Sequence, residues 1–332
     1  MADLTRNALA AALAATIAVG MPTWVCAAEA PVAVQIVDAL NKRFGVHPGF
    51  RANHAKGIVA EGSFKASQEA ASLSRSPLFT GASLPVTVRF SDSGGLPDVP
   101  DASPVANPHG MAIKFHLPGG GESDIVANAF KFFPVATPED FLALQLAAAT
   151  SPPGSPMSSQ MKAFLAGHPG VAKANATLGT PASFAEERYF GVDAFLFVNK
   201  AGKRQPFRYI IAPEKVMHLS KEEAAKRSPD YLMKDLPARL AKGPVTFHLK
   251  AQLAAAGDPT RDPTRAWPDD RPVVDLGVLT IDRVVADSAA AEKKLLFLPG
   301  RLTDGIEPSD DPLIAARDAA YAVSFGRRTA SP

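Results

Sequence analysis

Apolar residues recur along this chain at two different periods, and the changes of period mark its elements. Val32 to Phe44 has helical spacing and predicts a short amphipathic helix. Alternating or β-rich runs follow at Gly57–Phe64, Pro85–Ser91, Gly110–Leu117 and Asp124–Phe133, and the glycine cluster Leu117–Gly121 predicts a turn between the last two. The pattern turns helical from Thr137 to Ala174, broken at Ser151-Pro152-Pro153-Gly154. Strands return at Tyr189–Val198, and Lys200-Ala201-Gly202-Lys203 predicts a hairpin turn into Pro206–Ala212. Further strands are expected at Pro244–Gln252 and Pro272–Val285, and a closing helix at Asp310–Ala322, opened by a Ser309/Asp310 cap. Many antiparallel-looking strands with a helical insertion predict an α+β fold built on one antiparallel β-barrel. The chain has no internal repeat and no Gly/Ser-rich linker, so residues 29–332 are expected to form a single domain.

The first residues carry a different signal. Arg6 precedes an apolar run from Ala8 to Val19, followed by Met21, Pro22 and Cys26-Ala27-Ala28. A positive start, a short hydrophobic centre and small residues before a cut site predict a secretory signal peptide over residues 1–28 and a periplasmic mature protein. The run is shorter than the roughly 20 residues a membrane-spanning helix needs. Cys26 is the sole cysteine, so cleavage after Ala28 leaves no disulfide, thiolate nucleophile or cysteine–zinc site. Net charge is +2 from 35 basic and 33 acidic residues, without a block of like charge, and nothing points to nucleic acid or a membrane surface. The 30 prolines are scattered, which predicts many loops rather than a low-complexity segment.

Two short motifs, far apart, carry candidate chemistry. Arg317 and Tyr321 stand four apart in a helical stretch and share a face. A tyrosine ionises near pH 10, and an adjacent guanidinium favours its phenolate. An ordinary exposed Arg–Tyr pair has the same spacing; Arg227 and Tyr231 show it too, with Pro229 between them. In RANHAKG, His54 is a residue type able to move protons near neutral pH, as cleavage of a peroxide O–O bond requires. A packed or capping histidine is the plainer alternative for any of the seven. Asn128 has an amide to donate toward a peroxide, and Phe132 and Phe133 are candidates for an apolar wall. HExxH, GxGxxG, Walker and GxSxG motifs are absent, so zinc hydrolysis, nucleotide binding and serine hydrolase chemistry lack support.

An ordered series of segments resembles the haem catalase superfamily, in particular its short catalase-related peroxidases. It runs Arg51–Gly57, Val88–Ser91, His109–Phe115, Asp124–Asn128, Trp267-Pro268, Gly305–Ser309 and Arg317–Tyr321. The resemblance implies a catalase-like barrel holding haem b, with Tyr321 as tyrosinate ligand to the iron and Arg317 keeping it anionic. His54 would be the distal acid–base group, oriented by Ser91 and partnered by Asn128. Arg51, Arg89 and Arg328 would bind the haem propionates, and Phe133 would line the distal pocket. Implied partners are hydrogen peroxide or an organic hydroperoxide and a small reductant.

The chain departs from larger catalases in three ways. Asn53 stands where an apolar residue usually precedes the distal histidine. The segment after Tyr321 lacks their Pro-Asp-Thr pattern, and their C-terminal helical region and threading arm have no counterpart here. These departures imply a monomer or homodimer with an open haem site, favouring peroxidase over catalase turnover. A hydroperoxide-rearranging enzyme of the allene oxide synthase type, which also carries a polar residue beside the distal histidine, is an alternative within this fold. A haem carrier and an exported barrel without haem are non-catalytic alternatives.

Overall fold

A computed structural model describes residues 30–152 and 154–330, so the expected signal peptide and its cleavage junction lie outside the described residues. The strands are β1 (Gly57–Ala66), β2 (Ser83–Ser91), β3 (Gly110–His116), β4 (Glu122–Asn128), β5 (Thr180–Pro181), β6 (Tyr189–Phe190), β7 (Phe195–Val198), β8 (Arg204–Pro213), β9 (His218–Leu219), β10 (Val245–Leu253), β11 (Val273–Val284) and β12 (Ile306–Pro308). Eight of them run β10-β11-β1-β2-β3-β4-β6-β8, and β8 pairs back onto β10 to close an antiparallel barrel. β7 and β12 extend the sheet from β8, while β5 and β9 form a separate ladder.

Closure removes sheet edges, and the alternation along each strand sends one set of side chains inward. The interior is filled by aromatic rings rather than left open. Phe90 stacks on Phe184 with centroids 5.5 Å apart and lies 6.1 Å from both Tyr189 and Phe247. Phe64, Phe115, Phe207 and Leu279 are buried with them in one cluster. Such a packed barrel is a rigid wall, and the open space of the fold lies beside it.

Three helices stand against that wall. Val32–Phe44, as expected, is helical and buries Ile36, Val37 and Leu40, which join Ala320 in a second apolar cluster. Helix Pro138–Ala149 packs against it, with Phe141 and Leu142 against the cluster, and the C-terminal helix Pro312–Ala330 packs there too. The break at residues 151–154 separates Pro138–Ala149 from helices Ser159–Gly167 and Gly170–Asn175.

Several strand ends move by one or two residues, and four larger differences bear on the site. The strand expected over Asp124–Phe133 ends at Asn128, because Asn128 Oδ1 accepts the Phe130 N–H at 2.8 Å and turns the chain away from the ladder. The strand expected over Tyr189–Val198 is two short strands, interrupted at Gly191–Ala194. The closing helix is capped one residue later than expected, by Asp311, whose Oδ1 accepts the Leu313 N–H at 2.9 Å. It also continues to Ala330, with Arg327 and Arg328 in the last turn, where cations suit the helix dipole.

Candidate active site

The barrel wall β2-β3-β4 and the three helices enclose a cavity of about 860 Å³. His54, Ser91, Asn128, Phe133, Arg51, Arg89, Arg317, Tyr321 and Arg328 all line it, so every candidate residue except Phe132 converges on one space.

His54 stands in the loop before β1. Its φ of 56° is the one left-handed non-glycine conformation among the described residues, a state that costs about 1–3 kcal/mol for a side chain of this kind. The flanking bonds hold it there. Asn53 Oδ1 accepts the Gly94 N–H at 2.9 Å, Ala55 N–H donates to Gly94 O at 3.0 Å, and Arg89 donates to His54 O at 2.8 Å. Ala52 N–H reaches Ser324 Oγ at 3.1 Å, which ties the loop to the C-terminal helix. The ring is then fixed by Ser91 Oγ, 3.0 Å from Nδ1. Gly110 makes this meeting possible: a Cβ there would lie 2.9 Å from Ser91 Oγ and 3.1 Å from His54 Nδ1. Burial, and then repulsion from Arg89, His109, Arg317 and Arg51, push the imidazole down to about 3. His54 is therefore neutral at ordinary pH and able to accept a proton.

Asn128 ends β4 with its oxygen committed to Phe130 N–H, which leaves its NH₂ as the group it offers the cavity. Phe133 lines the cavity with its ring 5.8 Å from Phe141. Phe132 is not part of this wall: it packs with Phe130, Ala174 and Val192, and Phe130 lines the cavity in its place.

Arg51, Arg89 and Arg328 gather around one carboxylate. Glu292 Oε2 lies 3.2 Å from Arg51 and 2.8 Å from Arg89, and Leu295 O accepts from both Arg51 and Arg328. Gly57 lets Arg89 in, since a Cβ there would stand 2.4 Å from the guanidinium. Three cations against one anion leave a surplus of two positive charges in a buried place. The strain shows in the arginines: burial first, then mutual repulsion, lowers Arg51 well below the usual range and Arg328 to about 10. Arg89 Nε is buried without a hydrogen-bond partner. Such a cluster suits an anionic ligand.

On the C-terminal helix Arg317 Nε donates to Tyr321 Oη at 3.2 Å, and its NH1 pairs with buried Asp193. Burial alone would lower the Arg317 pKa, but Asp193 and Tyr321 outweigh it and raise the value. The look-alike pair behaves differently. Arg227 lies outside helix Tyr231–Leu240, and Tyr231 Oη donates to Pro181 O at 2.6 Å.

Beneath His54 is a buried polar group that the sequence did not disclose. Lys56 Nζ bonds Asp101 at 2.6 Å and Asp230 at 2.8 Å, and His109 Nε2 is 3.3 Å from Asp92. Burial and the neighbouring Asp101 push the Asp92 carboxyl up to about 9, while burial brings His109 down to about 4. Asp92 follows Ser91 and His109 precedes Gly110 in sequence, so the cluster adjoins two residues that line the cavity. Glu292 and Asp193 were likewise not legible, because they meet their arginines across 241 and 124 residues of chain.

Comparison with known proteins gives a consistent answer. A family model described as Catalase matches residues 48–331. A protein named catalase-related peroxidase from Synechococcus elongatus is 36% identical over 327 residues, 97% of this chain and 96% of that protein. Another of that name, from Mycolicibacterium paratuberculosis, is 36% identical over 300 residues, 89% of this chain and 94% of that protein. Among solved structures, a fungal catalase matches with TM-score 0.74 at 24% identity, over 84% of this chain and 59% of that one, a likeness of fold.

Proposed function

The chain belongs to the catalase family, in its short catalase-related peroxidase branch, and from that premise we propose a haem-dependent peroxidase that reduces hydrogen peroxide or an organic hydroperoxide with an external small reductant. Proteins of this family bind haem, and the residues present fit it. The cavity has the size and the partly apolar walls for a porphyrin. The surplus of two positive charges on Arg51, Arg89 and Arg328 matches the two propionates of haem b. Tyr321, held by Arg317, is the oxygen ligand offered to the iron. The observation that carries the proposal is this convergence: a neutral histidine, an arginine-bound tyrosine and an anion-binding triad line one cavity.

When bound, haem supplies the redox chemistry. This chain's residues do the rest. Tyr321 would hold the iron through its phenolic oxygen, and Arg317, bonded to that oxygen, would stabilise negative charge on it. His54 takes the proton from one peroxide oxygen and returns it to the oxygen that departs. Ser91 holds the ring for both transfers, and the Asn128 NH₂ donates to the peroxide. Phe133 keeps part of the cavity wall apolar.

The same proposal places the mature protein in the periplasm as a monomer or homodimer, with peroxidase turnover ahead of catalase turnover. Comparing oxygen release with dye oxidation in one preparation tests it. Dye oxidation should dominate, and fast oxygen evolution without dye oxidation would contradict it. Asn53, the feature behind the rearrangement reading, lines the cavity with its oxygen bonded to the Gly94 N–H. Turnover of a lipid hydroperoxide without added reductant would favour that reading.

A further inference from the structure

The chain of groups behind Tyr321 does not end at Arg317. Asp193 sits in the interruption between β6 and β7, buried to 1% exposure, and it does not line the cavity. One carboxylate oxygen accepts from Arg317 NH1, and the other, Oδ1, is buried with no hydrogen-bond partner. Among the described residues Arg317 is the one cation paired with it. Arg208, also buried, donates instead to Arg265 O at 2.7 Å and Asp262 O at 3.2 Å, with its guanidinium 4.5 Å over Trp267. Arg317 is thus shared between two oxygens, the Tyr321 phenol on the cavity side and the Asp193 carboxylate behind it.

A guanidinium bonded to a phenolate draws electron density from it, and a carboxylate on the far side of the same guanidinium offsets that pull. The low dielectric of a buried site makes the offset matter. We infer that Asp193 is a positioning residue for the axial ligand: it holds Arg317 on Tyr321 and shares its charge, so that the phenolate stays a strong donor to iron. The inference rests on the reading of Tyr321 as the ligand. A stronger donor stabilises ferric over ferrous iron. Removing the Asp193 charge should therefore raise the reduction potential, with the packing of the loop unchanged.

The test is spectroelectrochemical reduction of the haem-loaded protein as wild type, Asp193→Asn, Arg317→Gln and the double variant. Asn keeps an oxygen able to accept from Arg317 and removes only the charge. At a fixed poise near the wild-type midpoint, Asp193→Asn should raise the ferrous-to-ferric ratio at least tenfold, 59 mV for one electron. In the Arg317→Gln background the same change should shift the ratio less than threefold, because Asp193 acts through Arg317. A ratio within threefold of wild type for the single variant, or a full shift without Arg317, overturns the inference. Should Asp193→Asn fail to fold, Asp193→Glu decides the matter: it keeps the charge, so a ratio within threefold of wild type supports the inference and a tenfold change overturns it. If wild type and Tyr321→Phe have the same ferric spectrum, the ligand reading itself fails, a result separate from either of these.

Discussion

Substitution of Gly110 by alanine places one methyl group where His54 and Ser91 meet. The residue lies on β3 in register with Ser91 on one side and Asn128 on the other. Its backbone is ordinary for any amino acid, so the effect is steric rather than conformational. The new Cβ would stand 2.9 Å from Ser91 Oγ and 3.1 Å from His54 Nδ1 and Cε1. Contacts this short force one of the two side chains to move, and the 3.0 Å bond between them is the contact that breaks. Overpacking of this kind costs about 1–3 kcal/mol. At about 1.4 kcal/mol per factor of ten, the population with the imidazole correctly placed falls roughly 5- to 150-fold. If Ser91 yields instead, loss of one hydrogen bond of about 1 kcal/mol sets the lower end of that range. The assay is stopped-flow consumption of hydrogen peroxide by haem-loaded Gly110→Ala beside wild type, with the Soret spectrum and circular dichroism as controls. Haem binding and fold should persist, since the arginine cluster and the Arg317–Tyr321 pair lie away from the new methyl. A rate within twofold of wild type would refute the assignment of His54, held by Ser91, as the proton carrier.

Peroxide consumption should stay flat from pH 8 to pH 5, because the His54 imidazole, held at about 3 chiefly by burial, remains neutral throughout; an unperturbed histidine would lose roughly thirtyfold of its neutral form by pH 5, so an acid limb near 6.5 would contradict the account. The sign for stability is the reverse of a paired histidine: the unfolded chain takes up a proton that folded His54 refuses, so this residue's contribution falls as pH drops from 6.5 toward 3. Lys56→Met should cost about 3–5 kcal/mol in urea unfolding, because it strips buried Asp101 of its cation, and a loss below 1 kcal/mol would show the cluster is not structural. Arg89→Leu should weaken uptake of haem at least tenfold and leave uptake of its dimethyl ester within threefold, whereas equal losses for both would remove Arg89 from the propionate role.

Much of the barrel was legible because its strands are half-buried and alternate. β2 runs from Ser83 to Ser91, two residues longer at its start than the expected Pro85–Ser91, and helix Val32–Phe44 has its expected bounds. Local chemistry hid the rest. Asn128 diverts the backbone through its own side chain, and no periodicity reveals that. Gly191–Ala194 reads as strand by composition, yet the segment breaks there, and Asp193 within the break pairs with Arg317. His54 and Tyr321 drew notice through short-range patterns, a polar loop entering a strand and an i, i+4 pair with arginine, and their expected roles came from the ordered series of family-like segments. Glu292 and Asp193 were not, since a single acidic residue far along the chain carries no local sign of the arginine it will neutralise. Asn53, which looked like a clue to chemistry, bonds Gly94 and holds the loop. Phe132 and Phe130 exchanged places for the same reason that β4 ended early: the turn at Asn128 changes which side chains face the cavity.

The account turns on Tyr321 as an arginine-supported ligand, and the most direct measurement is the ferric absorption spectrum of the haem-loaded wild type against Tyr321→Phe. A tyrosinate spectrum present in wild type and lost in the variant is the expected result. Haem bound by Tyr321→Phe with an unchanged spectrum would contradict it and remove the basis for the roles assigned to Arg317 and Asp193.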